Sequence, residues 1–424
     1  MAVEEVDVLI VGGGLTGASL MLALADSSLR VTMIEAKMFS DKIREDFDAR
    51  TLALSPASVN ILNVLGLWPS LCVHATPIEI IHVSQQKRFG HTRLHSDVLN
   101  PLGHVIEMQH LQKVFYEFLD HEHVHAPAQI TALDAPTGMV SVLLNGQLKT
   151  IKAKLIVAAD GADSAVRKLC GLSVKITDYH QQAVVANLGL SRPHQQIAYE
   201  RFTSSGPLAL LPITGNRASL VWSLAPDKAE EYLSMPDKAF LQALQGVFGY
   251  RLGKLGKVGK RSLFPLRQTI MPEQVAWPVV FIGNAAHTLH PVAGQGFNLG
   301  LRDAALLAQI LVQQGLNAKS LETYQDMRRH DQHAIQAFTH GLVELFSSSI
   351  PGLAALRGMG LMALDSLPPL QKLLTHYTQG FAGSPSDLVC EIPLRSKRKE
   401  RKPVHRKSIS SSSSSSSSSS EERL

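Results

Sequence analysis

The first 35 residues alternate between short apolar runs and turn residues. Val6–Val11 is a β-branched run that predicts a buried strand, and Val31–Glu35 predicts a second one. Between them, three glycines interrupt the apolar run before a helix-like stretch at Leu15–Ala25. The pattern predicts a strand–turn–helix–strand unit at the start of the chain.

Further along the chain, two kinds of sequence pattern alternate. The first continues the opening unit, with helices predicted at 55–65, 111–119 and 299–312 and buried strands at 151–158 and 279–282. The run at 299–312 is apolar on all sides, which is typical of a buried helix. Between residues 181 and about 265, strands such as Ala183–Leu190 and Ala218–Leu224 alternate with Gly and Pro turns. We therefore expect a second, sheet-rich domain inserted into the first.

Composition and charge narrow the classes of partner. Hydrophobic residues make up 45% of the chain and charged residues 18%, as in globular proteins. Of the 41 Lys/Arg and 36 Asp/Glu residues, nine and five lie at or after Pro385, so 32 and 31 remain in the body. A nearly neutral body has no electrostatic footprint for nucleic acid, and no such partner is expected.

The cysteines and the N-terminus predict a cytoplasmic location. Cys72, Cys170 and Cys390 are widely spaced and odd in number, so they suggest neither a disulfide framework nor a zinc site. Acidic residues precede the first apolar run, which predicts a strand and not a signal peptide. No window holds 18 uninterrupted apolar residues, so no transmembrane segment is expected.

The turn after the first strand has the glycine pattern of a dinucleotide-binding site. Gly12 permits the tight turn, Gly14 lets the backbone approach a pyrophosphate, and Gly17 lets the helix pack close to the strand. Phosphate charge would then meet the free N–H groups of the helix N-terminus. Glu35, at the end of the second strand, is placed to accept a hydrogen bond from a ribose hydroxyl. The unit predicts nucleotide binding but does not choose between NAD and FAD.

Two later blocks make that choice. ADGADSAVR begins at Ala159, and GNAAHTLHPVAGQGFNLGLRD occupies 283–303. With the glycine pattern, they stand in the order seen in aromatic-ring hydroxylases of the p-hydroxybenzoate hydroxylase type, which the chain resembles. Those enzymes are single-component FAD monooxygenases. The resemblance implies an α/β fold, with a Rossmann-like FAD-binding domain, an inserted sheet-rich substrate domain and C-terminal helices. It also implies that Asp160 lies between FAD and the path of the nicotinamide.

A narrower resemblance, covering about residues 4–383, is to the ubiquinone-biosynthesis hydroxylases. FDARTLALS, beginning at Phe47, is similar to their arginine-bearing segment near FAD and makes Arg50 a candidate cofactor contact. EMQHL, beginning at Glu107, places Gln109 at the start of a helix that reaches the flavin region. Segments 200–212 and 248–254 are also similar to this branch.

The third block supplies the remaining candidate site residues. The resemblance implies that Gly283, Asn284, Gly296 and Asn298 contact FAD. Most of the wider family has an aspartate where this chain has Asn284, which keeps a carbonyl acceptor for a ribityl hydroxyl but loses the charge. The same resemblance implies that the reacting edge of the flavin faces four residues, Pro291, Gly294, Gln295 and Gly296.

The implied reaction is hydroxylation of a polyprenyl methoxyphenol in ubiquinone biosynthesis. In the resembled family NAD(P)H reduces FAD, O2 adds to form a C4a-hydroperoxyflavin, and one oxygen atom reaches the ring. A hydrophobic polyprenyl substrate implies peripheral association with the inner membrane and contact with other ubiquinone-biosynthesis proteins. The oligomeric state is left open. Hydroxylation of a small soluble aromatic compound and non-catalytic FAD binding are the alternatives. The tryptophans form no W-x-W motif, which disfavours a flavin halogenase.

The histidines and a lysine-rich loop suggest other chemistry, which we do not favour. His287 and His290 are three residues apart, but no third ligand with metal spacing lies nearby, so no metal is expected. The alternating histidines at 121–125 are expected at a solvated strand end. Gly253–Lys260 lacks the order of a phosphate-binding loop, so a basic hairpin turn is expected there.

These patterns give the predicted domain limits. The helical, apolar pieces between 341 and 374 are expected to pack on the core, with a membrane-contact surface as the alternative. The tail carries a basic cluster at 395–402 and a serine run at 410–420, a composition that predicts disorder. The limits are 1–75, 105–178 and 270–330 for the FAD-binding domain, 76–104 and 179–269 for the substrate domain, 331–383 for the C-terminal helical region, and 384–424 for the basic, serine-rich tail.

Overall fold

The architecture is taken from a computed structural model. It describes residues 3–38, 47, 50–96, 100–289, 294–347, 358, 360, 362–363, 365–367, 371, 375, 379–381 and 385–394. The helices are α1 Leu15–Ala23, α2 Pro56–Val64, α3 Trp68–Leu71, α4 Met108–Phe118, α5 Ala165–Leu169, α6 Pro226–Ser234, α7 Asp237–Phe248, α8 Gln295–Gln314 and α9 Ala318–Ser347. Short 3-10 turns lie at Cys72–His74, His121–His123 and Gly283–Ala285.

The strands fall into three sheets. They are β1 Glu4–Val11, β2 Val31–Ile34, β3 Thr51–Leu54, β4 Ala75–Ile78, β5 Ile80–Gln85, β6 His91–His95, β7 Gly103–Glu107, β8 Val124–His125, β9 Ala128–Asp134, β10 Met139–Leu144, β11 Gln147–Ala158, β12 Lys175–Leu190, β13 Ile197–Thr203, β14 Gly206–Ile213, β15 Arg217–Leu224, β16 Leu255–Val258, β17 Ser262–Ile270, β18 Val275–Ala276, β19 Val279–Phe281 and β20 His287–Thr288.

The first sheet has the order β18-β19-β11-β1-β2-β8, and β19, β11, β1, β2 and β8 run parallel. Strand β1 is buried on both faces, as the apolar run predicts for a central parallel strand. Val8 and Ile10 pack with α1 and α8, whereas Leu9 and Val11 pack on the opposite face with β10. This arrangement is the predicted Rossmann-like unit.

The second sheet has the order β20-β17-β12-β15-β14-β13-β5-β6, with β16 paired to β12. Its core is built around Trp222, Phe240 and Phe248, which are fully buried between the sheet and α7. The third sheet, β3-β7-β4, lies between the two larger ones, since β14 contacts β4 and β7 while β3 contacts α8. The predicted fold class, a Rossmann-like domain with an inserted sheet-rich domain, is confirmed.

Three predicted limits fall within packed segments of the structure. Residues 385–394 do not belong to a disordered tail, because Leu388 and Val389 are buried and Asn60 Nδ2 donates to the Val389 carbonyl over 2.9 Å. The limit at 330 falls inside α9, and the limit at 178 falls inside β12. The basic cluster and the serine run lie outside the described residues.

Two local expectations also differ from the structure. His121–His123 form a 3-10 turn instead of a strand end, capped by the Asp120 side chain. Gly253–Lys260 contains β16, which pairs antiparallel with β12, so the segment is an edge strand and not only a turn. Within the described parts of the chain, no single helix is long and apolar enough to cross a membrane; the pair Pro56–Val64 and Trp68–His74, bent by 118°, meets the criteria of length and composition together.

Candidate functional site

The separated sequence blocks converge at the carboxyl edge of the first sheet. Ala159 N donates to Val11 O over 2.8 Å, and Ile282 N donates to Ala158 O over 3.0 Å. Gly12 N donates to Ile34 O over 2.8 Å, which adds the end of β2 to the same edge. Ligands of open parallel sheets bind beyond this edge, so the topology places one site where all three blocks meet.

The three glycines of the first turn differ in what surrounds them. A Cβ on Gly12 would lie 2.5 Å from the Ala159 carbonyl oxygen, and one on Gly17 would lie 1.9 Å from the Gly12 carbonyl oxygen. Both positions therefore pack backbone against backbone. A Cβ on Gly14 would meet nothing within 4 Å, since this residue faces open space at the N-terminus of α1. The loop is therefore tightly packed at Gly12 and Gly17 and leaves space at Gly14, where a phosphate would approach.

Glu35 is held against the glycine turn. Its Oε2 accepts a hydrogen bond from Gly13 N at 2.6 Å, and its Oε1 accepts one from Lys37 N at 2.9 Å. The carboxylate is thus fixed at the end of β2, beside the open space at Gly14. That is the position from which an acidic side chain reaches a ribose hydroxyl.

Asp160 has one engaged and one unengaged oxygen. Its Oδ2 accepts from Val166 N at 3.1 Å at the start of α5, whereas its Oδ1 is buried with no hydrogen-bond partner among the described residues. A buried, unsatisfied carboxylate oxygen is costly unless a ligand supplies a donor. Arg167 ties this block to the third one, since its NH1 donates to Ala285 O over 2.8 Å.

The third block is stretched between the two large sheets. After β19 the chain makes a 3-10 turn, and β20 then pairs with β17 of the second sheet. Asn284 is exposed in that turn, between buried Gly283 and Ala285. Gly294, with a left-handed φ of 61°, precedes the first turn of α8. Pro291 lies outside the described residues.

A buried ionic network anchors this block from behind. Asp303 is fully buried; its Oδ2 accepts from Gly283 N at 2.9 Å and lies 2.6 Å from His287 Nε2. Its Oδ1 accepts from Arg328 Nε at 2.7 Å, and Arg328 NH1 also pairs with Asp331. His287 therefore positions the loop through a carboxylate, and His290 lies outside the described residues.

Electrostatics keeps this network charged. Burial alone would raise the pKa of Asp303, but the charges of His287 and Arg328 outweigh it and hold that pKa well below its usual range. Burial would likewise lower the pKa of Arg328, but Asp303 and Asp331 raise it above its usual value. Because removing one partner would leave a buried charge unpaired, the network fixes the start of the loop firmly.

Asn298 joins α8 to the segment after Arg50. Its Oδ1 accepts from Ser55 N at 2.9 Å and from Ser58 Oγ at 2.7 Å. Its Nδ2 donates to Ala53 O and to Gly294 O, both over 2.9 Å. Since the amide makes all four of these bonds within the protein, Asn298 acts here as a positioning residue, and its predicted contact with FAD stays a prediction.

Arg50 and Gln109 lie at neighbouring strand ends. Thr51 pairs with Glu107 across β3 and β7, and Met108 N donates to Arg50 O over 2.7 Å. Gln109 Nε2 donates to Glu107 Oε2 over 3.0 Å, and the other Glu107 oxygen accepts from Arg217 NH2 at 2.7 Å. The two predicted residues are therefore brought together through Glu107, beside the second sheet.

Comparison with known proteins decides the family. Residues 5–339 match the family described as FAD binding domain. Ubiquinone hydroxylase UbiL of Rhodospirillum rubrum is 35% identical over 403 residues, covering 92% of this chain and 93% of its own. The chain belongs to the FAD-dependent hydroxylases of ubiquinone biosynthesis. The 3-demethoxyubiquinol 3-hydroxylase of Escherichia coli is also similar to this hydroxylase, at 31% identity over 90% of this chain and 100% of its own.

Solved structures agree on the fold. p-Nitrophenol 4-monooxygenase PnpA of Pseudomonas putida matches this hydroxylase with a TM-score of 0.74 at 18% identity, covering 90% of this chain and 99% of its own. An HpxO variant of Klebsiella pneumoniae complexed with FAD matches with a TM-score of 0.70 at 16% identity, covering 89% and 99%. At these identities the likeness shows the fold alone.

The residues present fit FAD. The open space at Gly14 suits the pyrophosphate, Glu35 suits the ribose, and the unsatisfied Asp160 Oδ1 suits a donor from the cofactor or the nicotinamide. The N-terminus of α8, at Gly294–Gly296, presents backbone N–H groups and the positive end of a helix dipole. The residues that the sequence singled out thus form a candidate FAD cradle.

Sequence reasoning missed the residues that hold this cradle in place. Glu107, Asp303, Arg328 and Ser58 are buried and make hydrogen bonds to predicted site residues or to the loop that carries them. For Asp303, the last residue of the third block, the sequence offers one signal, which is its charge within a helical run of apolar residues. A charged residue within an otherwise apolar, buried helical run indicates a buried partner elsewhere.

Proposed function

We propose that this protein hydroxylates the ring of a polyprenyl methoxyphenol in ubiquinone biosynthesis, in the manner of a 2-octaprenyl-6-methoxyphenol hydroxylase, using FAD, NAD(P)H and O2. The observation that carries the proposal is the 35% identity to a ubiquinone hydroxylase over 92% of the chain. The candidate FAD cradle at the carboxyl edge of the first sheet supports FAD as the cofactor.

FAD, when bound and reduced, supplies the activation of O2 that protein side chains lack. Gly12 and Gly17 let α1 pack close to the sheet, and its N-terminal N–H groups would hold the pyrophosphate of FAD. Glu35 would accept a hydrogen bond from the adenosine ribose, and Asp160 would accept one near the nicotinamide path. The N-terminal end of α8 would stabilise negative charge on the reduced cofactor through its dipole and backbone donors.

Apolar residues of strand β14 would exclude water from one side of the proposed site. On one face of the strand, buried Ile213 and half-buried Leu211 pack with the third sheet, and Arg50 and Gln109 lie next to the strand ends of that sheet. Excluding water from the site protects reactive oxygen species from unproductive decay and strengthens electrostatic stabilisation. Pro291 and Gln295 are proposed to hold the substrate ring at the reacting edge.

The substrate sets the expected surroundings. A polyprenyl tail partitions into a bilayer, so we place the protein in the cytoplasm, peripheral to the inner membrane, where other ubiquinone-biosynthesis proteins would deliver and accept lipid intermediates. The nearly neutral body supports the absence of a nucleic-acid partner.

A lipid extract of a strain that lacks the gene tests the proposed substrate. We expect accumulation of a 6-methoxy-polyprenylphenol and loss of ubiquinone, both reversed by the wild-type gene. Re-expression of Gly14→Val, which the fold accommodates, serves as the control for cofactor dependence and should not restore ubiquinone. Unchanged ubiquinone in the deletion strain would contradict the proposal.

A further inference from the structure

A cavity of about 510 Å³ opens at the outer edge of the second sheet, beside the turn between β5 and β6. We call this region the hairpin surface. Its charged side chains include four fixed cations and one carboxylate: Lys87, Arg88, Arg201, Arg251 and Asp365. It also includes two apolar residues that solvent reaches, Phe89 and Met362.

The cations are not neutralised within the described part of the protein. Among the described residues, Arg201 donates to neutral oxygens, to Val247 O over 2.8 Å and to Ser84 Oγ over 3.3 Å. No salt bridge joins Arg201 or Arg251 to a carboxylate of the described residues. Asp365 Oδ1 accepts instead from the backbone N of Arg93 at 2.9 Å. The cavity therefore carries an excess of positive charge.

The positive charge contributes to shifts in the pKa values of two groups at this surface. The pKa of His82 falls to about 4, chiefly through burial and further through the charges of Arg251, His91 and Arg93. Burial lowers the pKa of Arg201, and the charge of Arg251 lowers it further. Both shifts agree with a site that favours an anion.

The turn that carries this charge is held in place. Lys87 has a left-handed φ of 52°, and Gly90 has a φ of 99°. A Cβ on Gly90 would lie 2.5 Å from the Gly358 carbonyl oxygen, so the turn packs backbone against backbone on the C-terminal region. Phe89, fixed by this contact, is nevertheless 80% exposed.

We propose that the hairpin surface docks this protein on an anionic lipid bilayer, with headgroup phosphates at the cavity and Phe89 inserted at the acyl boundary. Clustered cations attract anionic leaflets, and an exposed aromatic ring beside them gains by insertion. A soluble phosphate compound would match the cations but would leave the exposed Phe89 ring without a partner. The combination of charge and exposed apolar surface therefore favours a lipid surface.

Docking on a bilayer rests on the proposed function in one respect, since a membrane-borne substrate would require the protein to reach the bilayer. The turn residues Lys87, Arg88 and Phe89 follow β5, which lies two strands from β14 in the sheet order, about 10 Å at the usual strand spacing. Substitutions there are expected to leave turnover of a short-chain, water-soluble phenol unchanged. Vesicle binding, which needs no turnover, therefore fails or succeeds separately from the proposed reaction.

The test is co-sedimentation of the full-length flavoprotein with vesicles. Vesicles of phosphatidylcholine alone are compared with vesicles that contain phosphatidylglycerol as well, at low and at physiological salt. We expect binding to the anionic vesicles that weakens with salt. The double variant Lys87→Gln/Arg88→Gln should bind about 25-fold more weakly, since each cation near a membrane surface contributes on the order of fivefold. Phe89→Ala should bind roughly tenfold more weakly, from the apolar area lost.

The matched control removes the same charge from other faces. Lys149→Gln/Lys175→Gln changes two exposed lysines on β11 and β12 and should bind like the wild type. Equal binding of the wild type and the hairpin variants, or equal loss in the control, would overturn the proposal. So would binding of inorganic pyrophosphate that Arg251→Gln abolishes, in a protein that leaves vesicles unbound, because the cavity would then be a site for a soluble phosphate compound.

Discussion

Substitution of Gly14 and of Gly17 should separate cofactor binding from folding. Gly14 has φ −64° and ψ 175°, a conformation open to any residue, and a Cβ there meets nothing within 4 Å. Gly14→Val should therefore fold as the wild type does but place a side chain where the pyrophosphate binds. At Gly17 the added Cβ would lie 1.9 Å from the Gly12 carbonyl oxygen, so Gly17→Ala should force α1 away from β1.

The two effects differ in size and in their dependence on FAD. Relieving the Gly17 contact requires a backbone shift of about 1 Å or more, and overpacking of this kind costs about 1–3 kcal/mol of unfolding free energy. Gly14→Val should change the stability of the apoprotein by less than about 0.5 kcal/mol. It should remove the stabilisation that the ligand adds, which is about 2.7 kcal/mol for the wild type at 100 times the dissociation constant.

The assay is urea unfolding of each apoprotein with and without FAD, together with the flavin absorbance of each protein as purified. Gly246→Val is the matched control, because a Cβ at Gly246 in α7 also meets nothing within 4 Å and lies far from the glycine turn. The control should retain FAD. A yellow Gly14→Val protein, or a Gly17→Ala apoprotein as stable as the wild type, would refute the reasoning.

Three further substitutions test the residues around the cradle. Asp303→Asn should lower the unfolding free energy in urea by about 3 kcal/mol at neutral pH, because Arg328 loses a buried counter-charge; equal stability would contradict this. Since the pKa of Asp303 is lowered by folding, its contribution is complete above the unfolded value of about 3.9 and fades below it, so the difference from the wild type should shrink in urea titrations below pH 4. Asn298→Ala should cost about 2–4 kcal/mol in thermal unfolding, because the donors and acceptors near Ser55 lose a buried partner, and a loss below 1 kcal/mol would count against it. Asp160→Ala should weaken FAD binding about 10- to 100-fold in a fluorescence titration, and unchanged affinity would show that its free oxygen does not face the cofactor.

The parts of the fold that follow local rules could be predicted from the sequence. The glycine turn, β1 and α1 are contiguous and have fixed spacing, so the pattern around Gly12, Gly14 and Gly17 predicted them closely. The buried helix expected at 299–312 appears as α8, which begins four residues earlier, at Gln295. Helix ends depend on capping geometry, which in this case uses a left-handed Gly294.

The rest depends on contacts between distant segments. Asp303 and Arg328 lie 25 residues apart on two helices, and nothing local in either helix identifies its partner. The segment containing Leu388 is short and surrounded by polar residues, so its composition suggests a tail although its backbone bonds to α2 and α8. Strand β12 runs 16 residues across a predicted domain limit and pairs with β17 on both sides of an irregularity between Asp178 and Gln182, a long-range pairing that the sequence pattern does not reveal.

The central claim is that this protein uses FAD to place one atom of O2 on a polyprenyl-phenol ring. The most direct measurement is turnover of the purified flavoprotein with NAD(P)H, a short-chain 6-methoxy-polyprenylphenol and isotopically labelled O2, followed by mass spectrometry of the product. We expect NAD(P)H oxidation that the phenol stimulates and a product that carries one labelled oxygen atom. A flavoprotein that oxidises NAD(P)H at the same rate without the phenol and leaves the ring unlabelled would contradict the account.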